Sequence, residues 1–307
     1  MGIVVVGAVF VDIKGYPMSQ YIPAGRNVGR VAQVHGGVSR NVAEDIANVE
    51  LKPTFVSVVD NSGISDDVLA KLNRHKVDTQ YVRRTEGGIG TWLAVFDNDG
   101  DVVASISQRP DLKEIGDIFD EHGDEIVKNA DSIVVEIDMD AHILKKIFKL
   151  AEKYKKQVYA VVSNMTIAME RRDLLQKTGC VVCNLQEAEL LFTDDYENKT
   201  PEEMAQIIQK KVKVAQIPRM IVTMGSKGAV WAEPDGRCGV CPAQKVMVVD
   251  TTGCGDAFFA GVAIGLTYGK SLADACAIGT RLASSVIATK ENVSPRFLPS
   301  EFDLNVK

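Results

Sequence analysis

The chain predicts an α/β fold with a mostly parallel central sheet covered by helices on both faces, and a small β-sheet standing off it. Two observations carry this. Apolar runs of β type alternate with amphipathic helical stretches over most of the 307 residues. Continuously apolar strands separated by helices indicate parallel pairing buried on both faces. The second observation is that two segments, about 13–35 and 81–110, break that rhythm.

Val4–Val9 is the first strand. Tyr16 to His35 has little helical periodicity, with Val28, Val31 and Val34 set among polar residues. Gly36 and Gly37 precede a helical stretch, Val38–Val49, followed by a strand at Thr54–Val59 and a helix at Asp66–His75. Tyr81 to Gln108 reads as antiparallel strands, with the turn Asp97–Asp101 joining Trp92–Phe96 to Val102–Ile106. Strands at Ser132–Glu136, Val158–Val162, Cys180–Cys183 and Arg219–Thr223 then alternate with helices at Ala141–Tyr154 and Pro201–Val212. Ile221–Ala229 is a strand, a tight glycine turn and a second strand. Lys245–Val249 is a β-type run, and after Asp256 the chain is largely helical, ending in Ala273–Lys290. No Pro/Ser-rich linker and no repeat divides residues 1–307, so one domain is expected.

Apolar content of 46% against 25% charged residues suits a globular protein with a sizeable core. A net charge of −6 argues against nucleic acid and membrane surfaces as partners. No apolar run approaches membrane-spanning length, and Met1–Gly7 reads as a strand rather than a signal peptide. A cytoplasmic enzyme acting on a small molecule is the expectation. Two pairs, Cys180-x-x-Cys183 and Cys238-x-x-Cys241, invite a zinc reading. The pairs lie far apart, and in a β run side chains three apart face opposite sides. Free thiols are the preferred reading.

The most informative stretch is Val249 to Gly261. A turn with two glycines opens an apolar helix, so the N–H groups of Gly253, Cys254 and Gly255 would face outward where the helix dipole adds positive potential. That is a cradle for an anion. Asp256 sits in its wall, where a carboxylate is unfavourable unless it accepts a proton from a hydroxyl attacking a phosphoryl group. An ordinary glycine turn with an N-terminal helix charge is the competing reading.

Residues Asp250-Thr251-Thr252-Gly253-Cys254-Gly255-Asp256 resemble the C-terminal signature of the PfkB (ribokinase-like) kinases, Asp-Thr-x-Gly-Ala-Gly-Asp, with Cys254 replacing the usual alanine. The resemblance implies a ribokinase-like three-layer fold whose small sheet is a lid, formed here by about 13–35 and 81–110. In many members two such lids clasp into a homodimer. It implies that Gly253, Cys254 and Gly255 form the anion hole and that Asp256 is the catalytic base.

Three further motifs follow in the family's order. Gly36-Gly37 with Asn41 has the form of the N-terminal signature, whose glycine N–H groups and Asn hold sugar hydroxyls. Asp12 matches a hydroxyl-binding aspartate, and Glu136 a substrate-proximal position, although an exposed strand-end charge explains Glu136 nearly as well. Asn184-x-x-Glu187 resembles the motif that organises Mg²⁺ through water near ATP, and reads equally as a capping box. Thr223-x-Gly225-x-x-Gly228 resembles a segment contacting ATP. Asp250 and Thr252 match part of a monovalent-cation (K⁺) loop found in many members. An NAD-binding fold is disfavoured, because Gly7-Ala8-Val9-Phe10 lacks the glycine spacing wanted after a first strand. A non-catalytic binding module is disfavoured by the presence of Asp256.

The implied activity is ATP-dependent phosphorylation of a primary hydroxyl on a small sugar or nucleoside. Gly36-Gly37-Val38-Ser39-Arg40-Asn41 and the upstream Asn27–Val31 are most similar to the pseudouridine kinase branch, which implies pseudouridine and its 5′ hydroxyl. Val162–Thr166 keeps only part of that branch's pattern. A ribokinase- or fructokinase-like free-sugar kinase is the alternative.

Overall fold

The computed structural model describes residues 2–162 and 164–304. β1 (Val4–Val6) stops three residues earlier than expected. Gly7 still donates its N–H to Val56 O at 3.3 Å, but the strand ends before it, where no side chain fits: a Cβ there would lie 2.1 Å from Ser39 Oγ and 2.6 Å from Glu136 Oε1. The chain turns into β2 (Phe10–Pro17), which pairs antiparallel with β3 (Gly29–Gly36), so the non-helical stretch before the glycines is a strand pair. α1 (Val38–Asn48) and β4 (Thr54–Val59) follow. α2 (Gly63–Arg74) starts ahead of its expected position because the Ser62 side chain accepts the Ser65 N–H and caps it.

β5 (Asp78–Arg84) pairs parallel with β4, so Tyr81–Arg84 belong to the large sheet and not to the small one. β6 (Gly90–Phe96) and β7 (Val102–Gln108) form the expected hairpin. Asp97 Oδ1 holds its turn by accepting the N–H groups of Asp99 and Asp101 at 3.0 and 2.9 Å. The remaining elements are α3 (Lys113–Asn129), β8 (Ile133–Glu136), α4 (Ala141–Tyr154), β9 (Val158–Val161), α5 (Met165–Met169) and α6 (Arg172–Leu175). Then come β10 (Val181–Asn184), α7 (Leu185–Phe192), α8 (Pro201–Ala215), β11 (Met220–Thr223), β12 (Ala229–Ala232), β13 (Cys238–Cys241), α9 (Cys254–Thr267) and α10 (Leu272–Ile287). Ser163, within the run Val162–Thr166, lies outside the described residues.

The large sheet has the order β13-β12-β11-β10-β9-β8-β1-β4-β5, parallel throughout except at β12 and β13. Side chains alternate between two cores. Val4, Val6, Val56, Val58, Ile133 and Val135 face α3, α4 and α8, while Val5, Phe55, Val59 and Val134 face α1, α2, α9 and α10. This is a three-layer sandwich. The small sheet has the order β3-β2-β6-β7; its middle pair, β2 and β6, is parallel and only its outer pairs are antiparallel. β7 is exposed along its whole length.

Lys245–Val249 is not a strand. Val246, Met247, Val248 and Val249 are all exposed, so their β propensity has no buried face to serve, and Val249 N–H instead donates to Ile287 O at 2.8 Å.

α9 and α10 meet through glycine. A Cβ on Gly261 would lie 2.7 Å from the backbone of Gly279. Gly261→Val should therefore force the two helices apart and lower unfolding free energy by about 1–3 kcal/mol. Urea denaturation reads this directly, and an unchanged midpoint would show that the helices are not in register as described.

Candidate active site

Four backbone starts and strand ends converge at one edge of the large sheet: the N-termini of α1 and α9 and the C-terminal ends of β1 and β8. Crevices outside the carboxyl ends of parallel strands are the usual ligand sites of such sheets. Here a cavity of about 760 Å³ opens there, lined among others by Phe10, Asp12, Asn41, Trp92, Glu136 and Asp256.

Gly253 is the N-cap of α9, at φ 80°, in the left-handed region that favours glycine. A Cβ on it would lie 2.0 Å from Asn292 O, so the helix start rests on the segment following α10. No side chain caps α9. The sequence reading gave Gly253, Cys254 and Gly255 equivalent N–H groups, but Cys254 N–H turns back to Thr251 O at 3.3 Å. The N–H groups of Gly255 and Asp256 find no oxygen acceptor among the described residues, as in the open first turn of a helix.

Asp256 Oδ2 accepts a hydrogen bond from Asn41 Nδ2 at 2.7 Å. Burial pushes the Asp256 carboxyl up to about 6, against the lowering effect of that bond and of the Arg40 charge. Arg40, fully buried, fixes the Asn41 amide: its guanidinium donates to Asn41 Oδ1, His35 O and Glu44, with Nε donating to Gly36 O at 3.3 Å. Because Oδ1 is taken by Arg40, the Asn41 NH₂ faces Asp256. Arg40 is a site residue whose role the sequence reading missed; a long basic side chain at the third position of a helix with an acid at i+4 was the available signal.

Glu136 is not an exposed strand-end charge. It is 7% exposed, and its Oε1 accepts the N–H groups of Ser39 (3.1 Å) and Ala8 (3.2 Å). Burial pushes its carboxyl up to about 7, helped by the neighbouring Asp138 charge and opposed by those hydrogen bonds. Asp12 sits on β2 opposite Val34, and its carboxylate reaches to Gly36, where a Cβ would strike it at 2.5 Å. Burial raises its pKa, with Lys14 and Arg40 pulling the other way. Gly37 caps α1 at φ 97°. The cavity thus gathers Asp12, Gly37, Asn41, Glu136, Thr252, Gly253 and Asp256, and adds Trp92, Arg109 and Asp138, which the sequence reading did not single out.

The other expected site residues lie off this cavity. Asn184 and Thr223 are partners in the β10–β11 register, at adjacent strand ends. Asn184 and Glu187 form a reciprocal capping box, each N–H to the other side chain at 2.8 Å. Burial raises the Glu187 carboxyl above its ordinary value. Gly225 (φ 58°) and Gly228 (φ 94°) bracket a short 3₁₀ turn between β11 and β12. Asp250 Oδ1 accepts Thr252 N–H at 2.8 Å; burial pushes its carboxyl up, but hydrogen bonds from Thr252 and Thr251 and the Lys14 charge together bring it below the ordinary value.

Residues 2–296 match the model of the pfkB family carbohydrate kinases. The chain is 33% identical to the guanosine-inosine kinase of Exiguobacterium acetylicum over 292 residues, 94% of this chain and 95% of that protein. It is 23% identical to the pseudouridine kinase of Escherichia coli K12, covering 95% of this chain and 92% of the relative. Among solved structures, Arabidopsis thaliana ribokinase complexed with ribose and ATP superposes with a TM-score of 0.80 at 21% identity, covering 96% of both chains. Giardia lamblia ribokinase gives 0.82 at 16% identity over 98% of each.

Asp256 holds its proton more tightly folded than unfolded. Between the ordinary carboxylate value of 3.8 and about 6, folding takes up a proton, so its contribution falls as pH rises through that window and is fully lost above it. Asp256→Asn removes that penalty and should raise unfolding free energy at pH 8, relative to pH 5, by about 1–2 kcal/mol. Urea titrations of both proteins at the two pH values test this; identical pH dependence would mean Asp256 is well solvated.

Proposed function

The chain belongs to the pfkB family of carbohydrate kinases, ATP-dependent enzymes that phosphorylate sugars or nucleosides, and from that premise we propose that it phosphorylates the 5′ hydroxyl of a nucleoside. The observation carrying this is the placement of Asp256, oriented by Asn41 in the first turn of an uncapped helix, in a cavity large enough for a nucleoside.

Asp256 is the base. It takes the proton of the primary hydroxyl as that oxygen attacks the phosphoryl group, and a carboxyl raised to about 6 is basic enough to do so near neutral pH. The N–H groups of Gly255 and Asp256 at the α9 start, where Gly253 and Cys254 set the turn, hold the charge on the phosphoryl oxygens. Asp12, Gly36, Gly37, Asn41 and Glu136 receive the sugar hydroxyls, for which carboxylate acceptors are suited. ATP supplies the phosphoryl group and Mg²⁺ offsets its charge. The residues present fit both: Asn184, Thr223, Gly225 and Gly228 cluster around two strand ends, and Glu187, held by its capping box, offers a carboxylate to a hydrated Mg²⁺. Asp250 and Thr252 are assigned to a K⁺ loop; a carboxylate that stays ionised in its bond to Thr252 N–H supports that.

For the nucleoside, the sequence favoured pseudouridine. The 33% identity to a guanosine-inosine kinase over almost the full length favours a 6-oxopurine nucleoside instead, with pseudouridine and free sugars as the competing substrates. We assign dimerisation to the lid, because Val31, Leu93, Val102, Val103 and Ile106 expose apolar surface on it. We place the reaction in the cytoplasm, where the six free cysteines stay reduced.

ATP consumption against inosine, guanosine, pseudouridine, ribose and fructose tests the reading, with inosine or guanosine expected to lead. Asp256→Asn should lower kcat by on the order of 10³-fold while ligand binding persists. In the unsubstituted enzyme, log kcat/KM should fall one unit per pH unit below about 6 as Asp256 becomes protonated. Retained turnover in Asp256→Asn would refute the base assignment.

A further inference from the structure

We propose that Asp138 and Arg109 form a subsite that reads the lactam edge of a nucleobase, a ring carbonyl adjacent to a ring N–H. This deepens the nucleoside reading above and rests on it.

Asp138 lies two residues beyond Glu136, and its side chain is only 6% exposed. Its Oδ2 accepts Arg109 Nη2 at 2.6 Å. Its Oδ1 is buried and has no hydrogen-bond partner among the described residues. Native proteins rarely leave a buried carboxylate oxygen unpaired, and here the residue lines the substrate cavity. A turn of the carboxylate toward the cavity would give this unsatisfied oxygen to a ligand donor. The backbone on either side of Asp138 is also held, because the Arg171 guanidinium donates to the carbonyls of Ile137 and Met139.

Arg109, by contrast, keeps much of its guanidinium exposed, with the side chain 56% accessible, and lines the same cavity. A guanidinium carries five N–H donors in a fixed fork. One acceptor oxygen beside one free donor array complements an N–H beside a C=O. Hypoxanthine and guanine present that pair at N1–H and O6, and uracil and pseudouracil at N3–H and O4. Adenine and cytosine present the reverse order, a bare ring nitrogen beside an amino group, which would set a lone pair against the Asp138 carboxylate. Trp92 supplies the wall against which a flat base can rest. It sits opposite Asp12 in the β2–β6 register, so the strands offering the sugar ligand and the aromatic surface are neighbours.

The test compares kcat/KM, and Kd by calorimetry, for inosine with 1-methylinosine and for uridine with 3-methyluridine, alongside adenosine and ribose, using the full chain with Mg-ATP. Methylation deletes the lactam N–H and leaves the 5′ hydroxyl alone. Whichever parent nucleoside is used, its methylated partner should be worse by about 100-fold or more, since sites built around a buried hydrogen bond reject analogues lacking it. Adenosine should be rejected to a similar degree. In Asp138→Asn the parent-to-methylated ratio should fall to about tenfold or less. Equal use of parent and methylated nucleoside, or preference for adenosine, overturns the subsite and leaves the nucleoside reading intact. An undiminished ratio in Asp138→Asn overturns the assignment to Asp138. Turnover and binding confined to ribose overturn the nucleoside reading and the subsite with it.

Discussion

The site hangs on one buried guanidinium. Arg40 is wholly enclosed at the start of α1, and it ties together its own helix through Glu44, the end of β3 through the carbonyls of His35 and Gly36, and the Asn41 amide. Each tie would be weak on the surface, but enclosure makes the arrangement sharply defined, because any alternative rotamer strands a charge without water. Glu44 is likewise enclosed, and Lys71 from α2 approaches its second oxygen at 3.0 Å. The orientation of a single amide at Asn41, and through it that of Asp256, is thus determined by a charge network reaching across two helices.

A second constraint is the concentration of carboxylates. Asp12, Glu136, Asp138 and Asp256 line one cavity. Burial raises three of them above their ordinary values. Backbone N–H groups partly offset this at Glu136, the Lys14 and Arg40 charges at Asp12 and an amide at Asp256, while Asp138 is paired with Arg109. Such a lining is costly to keep empty and well matched to a ligand rich in hydroxyl and N–H donors. Beside it, the α9 start, with no side-chain cap, supplies the opposite character, a row of N–H donors. A cluster of acceptors and a row of donors thus stand next to each other with Asp256 at their boundary.

Much of this was legible in the sequence because it resides in short, contiguous patterns. The alternation of apolar strands and amphipathic helices gave the parallel sheet, and the two glycine turns at Gly37 and Gly253 gave the helix starts that frame the site. The missing parts depend on tertiary neighbours. Lys245–Val249 carries strand-forming residues but meets no buried face. Gly7–Val9 reads as more strand, yet the strand ends at Val6, just before Gly7, where Ser39 and Glu136 leave no room for a side chain. β2 and β3 hid among polar residues because much of the small sheet is exposed. Arg109 and Asp138 are 29 positions apart, so their pairing leaves no local signature. Cys254 looked equivalent to its glycine neighbours until its N–H was seen to close a turn on Thr251.

The division of labour between layers bears on how this scaffold can change. Groups suited to moving a proton and holding an anion sit at the starts of α1 and α9, locked by Arg40 and by the close seat of Gly253 on Asn292. Trp92 and Arg109 sit on or just after the outlying hairpin, whose second strand is exposed throughout. Substitutions there can alter what enters without disturbing the packed helix starts. A chain built this way is readily retargeted: a library confined to the hairpin and the strand end at Asp138 samples new acceptor molecules while the transfer chemistry stays fixed.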